Sequence, residues 1–171
     1  MASRKTLLIP ILNEIIVSEI GEANITPLNW TKISPIKCQF FVEINGKIEE
    51  VTVDFERIGA VEKDYYLPPL YRHLNKIYNV GYDVSGAEKQ FAKTNVKTLL
   101  TIMSTVVDII KNFIKNHHPE GLYIAGTPKT LAGWGESQKS ALYKAFISKQ
   151  LQQFPDFGFD TYRDGFILVK N

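Results

Sequence analysis

Three histidines are the residues of this chain best suited to acid–base or metal chemistry near neutral pH: His73, His117 and His118. His117 and His118 are adjacent, at the predicted end of a long helix, so they would not share a helix face. The local sequence offers no further histidine at helical spacing, no cysteine pair and no acidic cluster that would complete a metal site. We therefore interpret His117 and His118 as residues that complement the negative end of the helix dipole, and no metal site is predicted.

A glycine-rich stretch over residues 126–137 offers a place for an anion. It follows a short apolar segment and precedes a predicted helix, where free backbone N–H groups can receive negative charge. Lys129, Ser137 and Lys139 lie in or beside this stretch and are the candidate cofactor-binding residues. The competing interpretation is a flexible connector with a helix N-cap at Ser137, because no complete phosphate-loop motif is present.

Lysines recur before and along the longest predicted helix, namely Lys93, Lys97, Lys111 and Lys115. Lys93 and Lys97 are four residues apart, as are Lys111 and Lys115, so each pair shares a face. This strip is either a solvated helix surface or a salt-sensitive contact for nucleic acid or a protein partner. Nucleic-acid binding is expected to be weak, because only four of the 20 cations are arginines, the best bidentate readers of phosphate and guanine.

Composition predicts one globular domain over residues 1–171. The 20 basic and 18 acidic residues give a net charge of +2, so no strong field attracts nucleic acid or an anionic membrane. The longest apolar stretches are shorter than the ~20 residues that span a bilayer, so no membrane partner is predicted. Cys38 is the only cysteine, which excludes an intrachain disulfide and favours a reducing, cytoplasmic compartment with a buried, unreactive thiol.

The apolar pattern predicts an α/β (α+β) fold with a mixed, mostly antiparallel sheet. Apolar residues at helical spacing predict helices over residues 7–20, over residues 96–117 and between residues 137 and 155. Strands are expected at residues 36–44, 47–57, 76–84, 121–126, 157–162 and 166–169, with a loop or short helix over residues 59–76. The strand–helix–strand unit built on the longest helix should form a right-handed crossover.

The pair Asn45-Gly46 predicts a two-residue hairpin turn. If these residues form the loop, the numbers of paired positions sum to 91. Cys38 then faces Val53, and Phe40 faces Val51. Ile36 would face Phe55 and complete three apolar pairs on one face of the hairpin.

The segment from Tyr78 to Val169 resembles the GNAT (N-acetyltransferase) family in its element order and in one short phrase. Residues 140–146, Ser-Ala-Leu-Tyr-Lys-Ala-Phe, are similar to the family's Ala-x-x-Leu-Tyr-x-x-x-Gly-Phe helix. Residues 95–110, with Gly126-Thr-Pro and the Leu-Tyr helix, are also similar to small phage and bacterial proteins. The resemblance implies a GNAT-like fold, acetyl-CoA as cofactor, and Tyr143 as the general acid that protonates the departing thiolate of coenzyme A.

The sequence departs from the family's pattern where the cofactor's phosphates would bind. The family has glycines just before its long helix, whereas residues 85–95 contain only Gly86 and include the bulky Phe91. A pyrophosphate needs close backbone approach and several free N–H groups there. We therefore expect a GNAT-like protein of a phage or mobile element that acts by binding or assembly, without a cofactor. Acetyl transfer through Tyr143 and weak nucleic-acid binding are the alternatives.

Charge is unevenly distributed along the chain. Lysines occupy the long helix and the last third, and acids gather in the hairpin and the loop after it: Glu49, Glu50, Asp54, Glu56, Glu62 and Asp64. The net charge of +2 thus combines an acidic N-terminal half with a basic C-terminal half. We expect such a dipolar surface to dock a protein partner.

Overall fold

The structure is a computed structural model, and it describes residues 25–85, 96–125 and 138–171. Within these ranges seven strands form one sheet in the order β1-β2-β3-β4-β5-β7-β6. The strands are β1 (Thr31–Ser34), β2 (Lys37–Ile44), β3 (Lys47–Arg57), β4 (Ile77–Val84), β5 (Gly121–Ala125), β6 (Phe157–Tyr162) and β7 (Gly165–Lys170). The helices are α1 (Lys63–Tyr66), α2 (Val96–His117) and α3 (Gln138–Gln152), with a 3₁₀ turn at Pro69–Tyr71.

The sheet is mixed and mostly antiparallel, as predicted. Only β4 and β5 pair in parallel, from Ile77 opposite Gly121 to Val80 opposite Ile124. The other five strand pairs are antiparallel. Parallel neighbours cannot be joined by a tight turn, and here α2 supplies the crossover between β4 and β5. The predicted helix over residues 7–20 lies outside the described residues.

The hairpin of β2 and β3 has the predicted register. Cys38 is opposite Val53 and Phe40 is opposite Val51. Asn45 and Gly46 have φ angles of 52° and 81°, as a primed two-residue turn requires. The expectation for Ile36 was wrong in one respect: its carbonyl accepts the Phe55 N–H at 2.8 Å, but its side chain is 50% exposed. Ile36 is exposed because it belongs to the turn between β1 and β2, one residue before β2 begins.

One face of the sheet packs against α2 and α3. The predicted inward stripe of α2 is buried, including Leu99, Met103 and Phe113. Ile102 and Ile109 lie outside that stripe and are also buried, so the buried surface of α2 is wider than the predicted stripe. At its end, His118 has a φ of 48° and donates its N–H to the Ile114 carbonyl, which closes the last turn.

A segment that we call the strap, residues 58–75, covers half of the opposite face. It contains α1 and the 3₁₀ turn, in agreement with the predicted loop and short helix. Its Ile58, Leu67 and Leu74 form a second apolar cluster with Tyr123 of β5 and Ile167 of β7. The strap therefore lies over the β5–β7 side of the sheet, where Ile77 of β4 and Tyr162 of β6 also belong to the cluster.

Strand β1 was not predicted. Three of its four side chains are exposed, so it carries no apolar alternation that a sequence pattern could detect. It exists because its backbone pairs with β2, with a register irregularity between Lys32 and Ser34.

The last hairpin forms as predicted, but its glycine has another role. The turn residues are Arg163 and Asp164, whereas Gly165 is the first residue of β7. A Cβ on Gly165 would lie 2.4 Å from the ring and hydroxyl oxygen of Tyr123. Glycine is needed at position 165 because the tyrosine ring crosses over the backbone there.

Candidate functional site

Two helices begin at the same edge of the sheet, next to the parallel strands. The connection from β4 to α2 runs through residues 86–95, and that from β5 to α3 through residues 126–137, both outside the described residues. In α/β sheets the carboxyl ends of parallel strands form the usual ligand crevice. In the sequence, the predicted cofactor residues follow β5 or lie in α3.

The side chains of the predicted cofactor site lie outside what the structure describes. Lys129 and Ser137 fall in the stretch 126–137. Lys139 and Tyr143 belong to the first and second turns of α3, where only the backbone is described. The cofactor-binding and catalytic assignments for these four residues therefore stay predictions.

The structure describes three of the four lysines of the predicted strip. Lys93 lies outside the described residues, whereas Lys97, Lys111 and Lys115 are exposed on α2. At 100° per residue these three share the side opposite the buried stripe. Lys97 is nevertheless about 21 Å along the axis from Lys111. The strip is therefore two separate sites rather than one continuous cationic surface.

A carboxylate interrupts the strip between its two ends. Asp108 lies on the same side of α2 and accepts the Trp30 indole N–H at 2.9 Å. Lys111 is 5.8 Å from the centre of the Phe154 ring, so its stem lies over the end of α3. Lys149 of α3 is exposed too, and it adds a third cation to Lys111 and Lys115 on the solvent side of the two helices. We call these three lysines the helix-layer lysines.

A cavity of about 200 Å³ connects the start of α2 to the edge of β2. Lys97 and Thr98 line one side, and Phe41 and Glu43 line the other. A second cavity, of about 240 Å³, lies between α2, α3 and the segment at Ile25, with Asp108 and Lys111 in its wall.

The open half of the sheet carries the most distinctive surface of the described residues. Strand alternation places one set of β2, β3 and β4 side chains on the face away from α2. We call this surface the acidic face, and its members are Lys37, Gln39, Phe41, Glu43, Ile48, Glu50, Thr52, Asp54, Glu56, Asn79 and Asp83. Five carboxylates stand against one ammonium, a formal charge of −4.

Two large apolar side chains are exposed among these carboxylates. Phe41 is 55% exposed and Ile48 is 68% exposed. Phe41 is directly opposite Glu50, and Ile48 is directly opposite Glu43, so each apolar group has a carboxylate beside it. The acidic face therefore combines apolar contact area with negative charge.

Aromatic contacts fasten the strap beside the acidic face. The Arg163 guanidinium lies 4.9 Å from the Tyr65 ring centre and 5.4 Å from that of Tyr162. The Tyr71 hydroxyl donates to Asp160 at 3.0 Å. Burial raises the pKa of Tyr66, and the nearby Glu56 carboxylate raises it further. Glu56 therefore lies where the acidic face meets the strap.

Buried hydroxyl and thiol groups hold their protons to high pH. Burial raises the pKa of Tyr123 to about 12, and Tyr65 and Asp164 add to the effect. Burial raises the pKa of Tyr82 well above its ordinary value. Burial likewise raises the pKa of Cys38, a free thiol in the core, which agrees with the predicted unreactive cysteine.

Sequence reasoning found the acidic segment but not the acidic face. Glu50, Asp54 and Glu56 of the predicted acidic group do lie on this face. Glu49 points to the other face of the sheet, where it accepts a hydrogen bond from Ser85. Asp64 lies on the strap, 3.4 Å from Arg72. The alternation within β3, combined with the predicted hairpin register, was the signal that could have separated Glu49 from Glu50.

Comparisons with protein-family models, with curated proteins and with solved structures find no match for this chain. Among the described residues, no helix is long and apolar enough to cross a membrane. The same residues contain no group of three or more His, Cys, Asp or Glu side chains that could hold a metal ion.

Proposed function

We propose that this protein is a binding protein that docks a cationic partner on its acidic face. The observation that carries the proposal is the exposure of Phe41 and Ile48 within a surface of formal charge −4. Exposed carboxylates steer a cationic partner towards this surface and fix its orientation. Contact with a partner would remove the surface of the two apolar side chains from water. This hydrophobic burial contributes the non-directional part of the affinity.

The shape of the surface defines what fits it. The acidic face is the broad surface of three adjacent strands, so it suits a partner surface or an extended segment rather than a small molecule in a pocket. The partner should carry lysine or arginine beside apolar residues, so that ammonium or guanidinium groups meet Glu43, Glu50 and Glu56.

Direct binding of a designed peptide tests this proposal. The probe is a short fluorescent peptide that alternates lysine and valine, and a glutamate–valine peptide serves as its counterpart. The double variant Glu43→Lys/Glu56→Lys should weaken binding of the lysine peptide by about tenfold or more, because it reverses two exposed charges on the face. Fluorescence anisotropy at low ionic strength measures the affinity.

A matched variant distinguishes binding to the acidic face from attraction to the net charge of the whole molecule. Glu62→Lys/Asp164→Lys changes the total charge equally, at exposed positions off the acidic face. It should change the affinity by less than about twofold, because separated exposed charges are screened. Equal loss in both double variants would contradict docking on the acidic face and would indicate attraction to the whole molecule.

We retain acetyl transfer as a second candidate, because one observation favours it. Strands β4 and β5 are parallel, and α2 and α3 both begin at their carboxyl edge, an order that resembles the GNAT family. In that reaction an amine attacks the thioester carbonyl, the carbon–sulfur bond breaks, and Tyr143 would give its proton to the leaving thiolate. The missing glycines before α2 place this candidate second.

Calorimetry with acetyl-CoA tests the second candidate. An acetyltransferase should bind acetyl-CoA in the micromolar range, and Tyr143→Phe should keep that binding while turnover falls by roughly 10²-fold or more. Absence of binding at millimolar acetyl-CoA would reject this candidate and would leave docking on the acidic face untouched.

A further inference from the structure

We infer that the cationic partner of the acidic face is a second copy of this chain, which presents its helix-layer lysines. This inference rests on the proposed function, because it names the occupant of the same surface. The molecule carries both halves of the contact, and they lie on opposite layers. The contact would join the sheet of one copy to the helices of the next.

The geometry follows from the two-layer architecture. The acidic face is the side of β2, β3 and β4 that points away from α2. Lys115 projects from α2 at about 120–160° from Leu99, Met103 and Phe113 of its buried stripe, at 100° per residue. Lys149 is likewise exposed, on the side of α3 away from the buried Ile147. The two charged surfaces therefore face in opposite directions across the thickness of the molecule.

The charges of the two surfaces are complementary. Lys111, Lys115 and Lys149 stand with Asp108 on the helix layer, a formal charge of +2, against −4 on the acidic face. Because α2 and α3 both run back from the carboxyl edge of β4 and β5, all three lysines fall near the C-terminal ends of the helices. They thus lie toward the same end of the helix layer, in contrast to Lys97 at the start of α2.

The size of the face sets the strength of the contact. Three strands at about 4.8 Å spacing and about 27 Å length give a footprint of roughly 400 Å². This is about half of the roughly 800 Å² per partner that is usual for stable complexes. The association should therefore be weak, reversible and dependent on electrostatic attraction, so that it weakens as salt is added.

The symmetry of the contact determines the assembly. An acidic face that binds a different surface of the next copy is a heterologous contact. Each added copy again leaves one free acidic face and one free set of helix-layer lysines. The expected product is a range of short open chains whose length increases with protein concentration.

A charge-swap experiment with the full chain tests the inference. The sheet-reversed variant is Glu43→Lys/Glu56→Lys, and the helix-reversed variant is Lys115→Glu/Lys149→Glu; all four positions are exposed. Sedimentation velocity at low ionic strength should show association of the original chain that increases with concentration. This association should be lost in 0.5 M salt, because the Debye length falls from about 30 Å at 0.01 M salt to about 4 Å. Each variant alone should sediment as a monomer, and an equimolar mixture of the two should associate again.

The outcomes separate this inference from the proposed function. Recovered association in the mixture supports a sheet-to-helix contact, because only there does each reversed surface meet its complement. A chain that stays monomeric but still binds the lysine–valine peptide overturns self-association and keeps the proposed function. A monomeric chain that binds no peptide overturns both. Association that persists in the separate variants, with unchanged circular dichroism, contradicts the assigned surfaces.

Discussion

Phe40 and Phe41 are neighbours in β2, and their side chains point to opposite faces of the sheet. Phe40 is 1% exposed in the core, whereas Phe41 is 55% exposed on the acidic face. Phe40→Ala should lower the free energy of unfolding by about 3–5 kcal/mol, because it leaves a cavity. Phe41→Ala should change it by less than about 0.5 kcal/mol. Urea unfolding of both variants measures the difference, and comparable losses would show that the acidic face is covered.

The backbone of Gly165 lies directly against the side chain of Tyr123, so a larger residue at position 165 should destabilise the fold. A Cβ at this position would stand 2.4 Å from Tyr123, so Gly165→Ala should lower the free energy of unfolding by about 1–3 kcal/mol through overpacking. Gly59→Ala is the matched control, because a Cβ at Gly59 meets nothing within 4 Å. Thermal unfolding should separate the two variants, and equal stability would mean that the Tyr123 ring can move aside.

Helix α2 holds the segment before β1 through a buried threonine. The Thr105 hydroxyl donates to the Thr101 carbonyl and accepts the Leu28 N–H at 2.9 Å. Thr105→Val keeps the shape and removes the acceptor, so the free energy of unfolding should fall by about 1–3 kcal/mol. Thr101→Val removes only a bond to the Lys97 carbonyl and should have little effect. Denaturant unfolding followed by tryptophan fluorescence measures both variants, and a neutral Thr105→Val would show that Leu28 finds another acceptor.

Tyr123 of β5 packs against the strap, and ionisation of its hydroxyl destabilises the folded state. Burial raises the pKa of Tyr123 from about 10 in the unfolded chain to about 12. The stabilisation from this group is complete below pH 10 and is lost as the pH rises from about 10 to about 12. Tyr123→Phe should therefore make the loss of stability less steep over that range. Chemical unfolding at a series of pH values measures the slope, and an unchanged slope would assign it to other tyrosines such as Tyr82.

At the scale of the whole molecule, separated lysines predict weak binding to nucleic acid. The exposed lysines of α2 divide into Lys97 at one end and Lys111 with Lys115 at the other, with Asp108 between them. Contacts by all three would give a slope of about −3 in a plot of log affinity against log salt. Duplex DNA binding should therefore disappear between low and physiological salt. A steeper slope in an electrophoretic mobility shift would reveal cationic contacts beyond these three.

Most elements could be predicted from the sequence because they follow from local patterns. The Asn45-Gly46 turn and the alternation around it gave the hairpin register, and helical spacing gave α2. Strand β1 could not be predicted, because its exposed side chains follow no pattern and only its pairing with β2 makes it a strand. The burial of Ile102 and Ile109 was missed for a related reason: tertiary packing covers a wider part of α2 than the predicted stripe.

For the candidate site, the sequence by itself determined that acids gather in the hairpin and lysines on the long helix. It also determined which β3 residues share a face, because alternation is a property of every strand. Only the tertiary structure decided that the strap covers one half of the sheet and leaves Phe41 and Ile48 exposed on the other. Coverage depends on which distant segments pack together, and no local spacing of residues specifies that. The same packing set the acidic face and the helix-layer lysines on opposite sides of the molecule.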